Sequence, residues 1–198
     1  MRSSQGAAHL VNQLLAMARA EDTEQARRVQ DVPLARLARD VVRDFVPRAM
    51  DKLIDLGYEG PDSDPADPSA PRIVGQPVLV RELIRNLVDN ALQYTPAGGT
   101  VTVRVAPDAA GRAMLLQVED TGPGIPVDER EQVFQPFYRA LGTDVDGSGL
   151  GLAIVKEIAD KHGAAITIQT ARPVVPDDAT MPGALFTVRF PRVEGPAA

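Results

Sequence analysis

The chain has no cysteine in its 198 residues. That excludes a disulfide framework, a thiolate metal site and a cysteine nucleophile, and it suits a reducing cytoplasm. An excess of basic residues is also missing: 21 Lys and Arg stand against 27 Asp and Glu, a formal net charge of −6. A nonspecific duplex-DNA binder needs a basic face to displace counterions, so any polyanion held here is expected to be small. No apolar run approaches the roughly 18 to 20 residues that span a bilayer, and the N-terminus lacks a basic-then-apolar signal layout. With 44% hydrophobic and 24% charged residues the composition is that of an ordinary globular protein, sized for one core plus an appendage. The helical pattern that begins soon after Met1-Arg2-Ser3-Ser4 leads us to read the chain as a fragment.

Apolar residues at Leu10, Val11, Leu14, Leu15, Met17 and Ala18 form an amphipathic helix over Ala8 to Glu21, which must cover its stripe either on its own domain or on a missing helical partner. Asp22 to Asp31 is polar and reads as a linker. Leu34, Leu37, Val41, Val42, Phe45 and Val46 predict a helix over Pro33 to Met50. Strands are expected at Leu53 to Tyr58 and Arg72 to Val74, separated by a Pro-, Asp- and Ser-rich loop. A helix from Pro77 to Tyr94 follows, ended by Thr95 to Gly99. Alternation at Val101, Val103, Val105 and at Met114, Leu116, Val118 predicts an antiparallel hairpin around a turn at Pro107 to Gly111. Beyond it lie a glycine-rich turn at Asp120 to Ile125, a short helical region, a helix from Gly149 to His162, and strands at Ala165 to Thr170 and Ala184 to Phe190. The fold class is therefore α+β, a two-layer sandwich with a mostly antiparallel mixed sheet covered on one face by helices.

Three features carry chemistry. Glu82, Asn86 and Asn90 are spaced four apart among apolar residues, so they share a helix face and can converge on a ligand; their oxygens suit Mg²⁺, which takes its remaining ligands from water and substrate phosphates. A solvated polar face would look the same. Asp120-Thr121-Gly122-Pro123-Gly124-Ile125 leaves a strand with two glycines that admit close backbone approach, although an ordinary turn also accounts for it. Gly147-Ser148-Gly149-Leu150-Gly151 opens a helix whose free amides and dipole favour phosphate, without the lysine of a P-loop.

In order, the chain reads Glu82-x-x-x-Asn86-x-x-x-Asn90, Asp120-x-Gly122-x-Gly124-Ile125, Phe134-x-x-Phe137-Tyr138-Arg139 and Gly147-x-Gly149-Leu150-Gly151-Leu152. This resembles the N box, first glycine box, F box and second glycine box of sensor histidine kinases in the GHKL ATPase superfamily, over roughly Pro33 to Arg192. The resemblance implies a Bergerat-type fold binding ATP or ADP with Mg²⁺. It implies that Asn90 coordinates the metal, that Asn86 lies near the phosphates, and that Glu82 supports the site as a proton acceptor. Asp120 would accept the adenine amino group, with Gly122, Gly124, Ile125 and Tyr94 shaping the base pocket and Phe137 beside it. Gly147, Ser148, Gly149, Leu150, Gly151 and Leu152 would wrap the phosphates, and Arg139 would neutralise the γ-phosphate. One departure stands out: Gln93 occupies the position before the tyrosine where many relatives are basic.

By the same resemblance, 1–22 is the end of the second dimerisation helix, 23–31 a linker, 32–192 the ATP-binding catalytic domain and 193–198 a disordered tail. His9 lacks the acidic residue and Thr-Pro pair that follow a phosphoacceptor, and His162 is expected to cap a helix. The implied activity is transfer of the γ-phosphoryl group to a histidine on an acceptor helix absent here, then to a response regulator receiver domain. The partners are that receiver domain and dimerisation helices of its own kind, a homodimer in the intact protein, with no nucleic acid and no membrane contact by this fragment. The implied location is cytoplasmic, on a parent in the bacterial inner membrane. Two rivals remain at this point: a GHKL ATPase or serine kinase of another branch, and a nucleotide-binding relay module without catalysis.

Overall fold

The computed structural model describes residues 29–61, 72–138, 149–172 and 181–191. The N-terminal amphipathic helix with His9, the loop through Pro71, the stretch holding Arg139, Gly147 and Ser148, and the C-terminal tail lie outside the described residues. Strand β1 (Gln30–Val32) leads into helix α1 (Leu34–Asp51), β2 (Asp55–Glu59), β3 (Ile73–Gly75), α2 (Pro77–Tyr94), β4 (Thr100–Pro107) and β5 (Ala113–Asp120). Two single 3-10 turns, Val127–Glu129 and Gln132–Phe134, precede α3 (Gly151–Lys161), β6 (Ala165–Thr170) and β7 (Ala184–Pro191).

The main sheet has the order β2-β4-β5-β7-β6, with β2 parallel to β4 and every other pairing antiparallel. Its period-2 pattern decides which face meets the helices. Val101, Val103 and Val105 of β4, Met114, Leu116 and Val118 of β5, and Phe186, Val188 and Phe190 of β7 are all fully buried. Their registers align in rows across the sheet, such as Val103, Val118, Phe186 and Ile168. The alternate residues form a polar ladder, where Arg104 bridges Glu59 and Glu119 and Gln117 donates to Thr187. Apolar on one face and polar on the other, the sheet is covered once, giving the two-layer α+β sandwich. Helix α1 supplies Leu34, Ala38, Val41 and Phe45, and α2 supplies Val80, Leu83, Ile84, Leu87, Val88 and Ala91. Each large side chain removed from water in this way contributes about 1.5 to 3 kcal/mol of transfer free energy.

The structure adjusts three expected boundaries. Leu53 is not in a strand: it sits in the turn after α1 at φ 55°, largely exposed, and β2 begins at Asp55. Helix α3 starts at Gly151, because Gly149 at φ 68° lies outside helical space. Gln30 and Asp31, placed in a linker by their polarity, pair with Gly75 and Val74 as part of a small two-stranded sheet. Among the described residues no helix is long and apolar enough to cross a membrane.

Candidate functional site

Asp120 continues the inward row of β5 after Met114, Leu116 and Val118, so the strand's own alternation drives a carboxyl into the apolar layer at its last position. It is 4% exposed. Its Oδ1 accepts the backbone N–H of Gly122 at 2.8 Å and that of Ala184 at 3.3 Å, which leaves the second oxygen as the acceptor it can offer to a ligand. Burial pushes the carboxyl above the ordinary aspartate value; the two backbone hydrogen bonds oppose this, and nearby Glu119 adds to it. A buried carboxyl on a cavity wall whose charged form is disfavoured by burial is a functional-site candidate.

Beside it opens a cavity of about 410 Å³ between α2, the loop leaving β5, the F-box turn, the start of α3 and the first residues of β7. Asn86, Asn90 and Tyr94 line it from one face of α2; Asp120, Gly124 and Ile125 from the β5 exit; Gly149, Leu150, Gly151 and Leu152 from the mouth of α3. Asn86 Nδ2 donates to the Glu82 backbone carbonyl at 2.8 Å and to Glu82 Oε1 at 2.9 Å, which fixes the amide. Its oxygen is thereby turned toward α3, where a Cβ added to Gly151 would stand 3.1 Å from it. Glu82 itself is exposed and acts on the cavity through Asn86. Among the described residues no three His, Cys, Asp or Glu side chains cluster as a self-sufficient metal cage. Neutral amide side chains such as Asn86 and Asn90 on a cavity wall are a donor set that suits an ion keeping most of its ligands from water, as Mg²⁺ does.

Two predicted residues, Gly122 and Phe137, are not among those that line the cavity. Gly122 is buried in the loop where its N–H reaches Asp120, and its carbonyl accepts the N–H of Gly183 at 2.9 Å. Phe137 is partly exposed at φ 65°, and its N–H donates to the Gly149 carbonyl at 2.8 Å, joining the F box to the second glycine box. His162 is occupied structurally: Nδ1 donates to the Ile158 carbonyl at 2.7 Å, Nε2 accepts the Gln76 N–H at 3.0 Å, and the ring packs edge-on against Phe190. It caps α3, as expected.

Several lining residues carry no signal readable in the sequence. Phe186 and Ala184 form the back wall from β7, Arg48 reaches in from α1, and Glu129 and Tyr138 close one side. The Tyr138 phenol is held above its usual value, first by desolvation and then by its bond to Glu129. Arg130 braces the loop that carries Ile125: it donates to the Ile125 carbonyl at 3.2 Å, the Ile168 carbonyl at 3.2 Å and Thr170 Oγ1 at 2.8 Å. Arg130→Ala is expected to cost about 1 to 2 kcal/mol from these bonds. Faster amide hydrogen exchange at Gly124 to Glu129, with the rest of the sheet unchanged, is the signature to look for.

Comparison with known proteins gives the same picture. Residues 75–194 match the family model of histidine kinase-, DNA gyrase B-, and HSP90-like ATPases. Sensor protein kinase PmrB of Pseudomonas aeruginosa is 34% identical over 195 residues, covering 92% of this chain and 39% of that protein. Sensor protein QseC of Escherichia coli is 33% identical over 165 residues, 83% of this chain and 34% of that protein. The chain thus spans between a third and two fifths of these relatives. The mycobacterial sensor histidine kinase MprB superposes with a TM-score of 0.67 at 28% identity, over 83% of this chain and 98% of that one. Full-length ShkA in complex with AMPPNP gives 0.67 at 29%, over 96% of this chain and 36% of that one. With the four motifs gathered on one cavity in this fold, the chain belongs to the histidine kinase-, DNA gyrase B-, and HSP90-like ATPase family and corresponds within it to the catalytic ATP-binding domain of sensor histidine kinases.

Proposed function

We propose that this domain holds Mg²⁺-ATP in the cavity and delivers the γ-phosphoryl group to a histidine on the dimerisation helices of its own kind. From there the group passes to an aspartate of a response regulator receiver domain. The observation that carries the reading is Asp120, a buried carboxylate with one oxygen saturated by backbone and the other available on the cavity wall. An acceptor of that kind selects the adenine amino group over the carbonyl of guanine. The AMPPNP complex of ShkA, which shares this fold over nearly the whole chain, supports the assignment.

In this reading Ile125 and Tyr94 cover the base, Asn86 orients toward the phosphates, and Leu152 and the amides at the mouth of α3 lie on the phosphate side, with the favourable end of the helix dipole. The family resemblance would add Arg139, Gly147 and Ser148 to the phosphate contacts. Asn90 would hold a magnesium ion, which would supply charge stabilisation to the phosphates. The bond between the γ-phosphorus and the β–γ bridging oxygen breaks as the acceptor imidazole nitrogen bonds to phosphorus. ADP departs, and Glu82 accepts the imidazole proton. The domain supplies position and charge rather than a covalent intermediate. We place it in the cytoplasm, on a parent protein in the bacterial inner membrane.

The test is a labelled-ATP assay with the dimerisation domain of the parent protein supplied separately. Acid-labile label on that domain, and none on this chain, is expected, since both nitrogens of His162 are engaged and His9 lacks an acceptor's context. Stable labelling of this chain at His9, or none on either partner, would sink the proposal.

A further inference from the structure

The described wall of the cavity is short of positive charge. It presents three carboxylates, Asp89, Asp120 and Glu129, and one cation, Arg48. Helix α2 ends at Tyr94, so its carbonyl-rich, partly negative terminus adjoins the same wall beside Gln93, which carries no charge. Beyond what Mg²⁺, Arg139 and the amides at the mouth of α3 would supply, a further cation reaching this wall from another element would offset its remaining negative charge. Arg48 is placed to do so. It rises from the last turns of α1, reaches across to α2 and pairs with Asp89, three residues after Asn86 and four before Gln93 on the cavity-facing side.

Resting on the nucleotide reading above, we infer that Arg48 is a phosphate-binding residue of this site, presented by Asp89 and supplying from α1 the charge that Gln93 lacks. Three features fit that role. A guanidinium has five donors in a fixed fork, so one edge can stay on Asp89 while the other meets a phosphate oxygen. The pair is 45% and 43% exposed, where an ion pair is worth little for folding, so the contact with Asp89 orients the side chain more than it stabilises the domain. The backbone beneath is fixed: Lys52, at the end of α1, donates to the carbonyls of Leu92 at 2.5 Å and Gln93 at 3.3 Å, tying the two helix ends together.

The experiment is calorimetric titration of AMPPNP with Mg²⁺ at several NaCl concentrations into the parent chain, Arg48→Gln, Asp89→Asn and the double variant Arg48→Gln/Gln93→Lys. Losing a charge-assisted hydrogen bond should weaken Arg48→Gln by about tenfold or more and flatten its salt dependence. Asp89→Asn, whose amide oxygen can still hold one edge of the guanidinium while a negative charge leaves the wall, should bind as the parent does or tighter, and the lysine at 93 should restore most of the loss in Arg48→Gln. Unchanged affinity and salt slope in Arg48→Gln would overturn the inference. An equal loss in Asp89→Asn with a lowered melting temperature would also overturn it, by making the pair structural. Failure of the nucleotide reading looks different: the parent itself gives no saturable heat, and the inference falls with it.

Discussion

Asp120→Asn is expected to lose at least a hundredfold in affinity for ADP and AMPPNP while melting at the same temperature as the parent or higher. The asparagine oxygen can still accept the N–H groups of Gly122 and Ala184, so the loop keeps its shape. Its amide nitrogen would then face the adenine amino group, donor against donor, and a buried polar mismatch of that kind costs several orders of magnitude in discrimination. Stability moves the other way because the parent buries a charge. The folded-state pKa of Asp120 lies above its ordinary value near 3.8, so the folded protein binds the proton more tightly than the unfolded chain. Stability from this group therefore falls as pH rises from 3.8 through the raised value, and acidification restores it. The asparagine variant lacks that leg, so its melting advantage should be largest at neutral pH and vanish near pH 4. Nucleotide affinity of the parent should weaken over the same interval as the acceptor oxygen is protonated. A variant that binds ADP as the parent does would remove Asp120 from the adenine contact and return the site to an undefined pocket.

Gly183→Ala should be the most damaging small substitution. Gly183 sits at φ 66° just before β7, and a Cβ there would lie 2.2 Å from the Asp120 carbonyl oxygen and 3.0 Å from the Ala171 Cβ. Both neighbours are held in the sheet or its edge, so the backbone must move. Left-handed strain of about 1 to 2 kcal/mol and overpacking of about 1 to 3 kcal/mol add to a loss that should lower the melting temperature by roughly 5 to 15 °C. Because Ala184 donates to Asp120, nucleotide affinity should fall with it. Gly111→Ala is the control. It has φ 68° with nothing within 4 Å of the added atom, so only the local strain applies and binding should be untouched. Equal effects in both variants would show that steric contact at Gly183 is not what matters.

What could be read from the chain and what could not divide along physical lines. Helix α2 runs over the expected residues because Pro77 sets its first turn and its apolar stripe is unbroken to Leu92. The β4–β5 hairpin follows from strict alternation, and the same alternation, carried two residues beyond Val118, places Asp120 inside. Strand β1 was hidden because three residues with one buried side chain show no period. The short helical region after Ile125 is two separate 3-10 turns, too brief to leave a stripe. Within the site, the asparagines and glycines are marked by local spacing, whereas Arg48 and Gly183 owe their importance to partners 41 and 63 residues away, which only the folded chain brings near.

The hydrogen bond from the Phe137 N–H to the Gly149 carbonyl has a further consequence. A Cβ added to Gly149 would stand 2.8 Å from the Phe137 Cα and 2.9 Å from its carbonyl carbon. Any side chain at 149 would therefore push the F-box turn away from the entrance to α3, so the bare backbone there sets how near these two walls of the cavity come to each other.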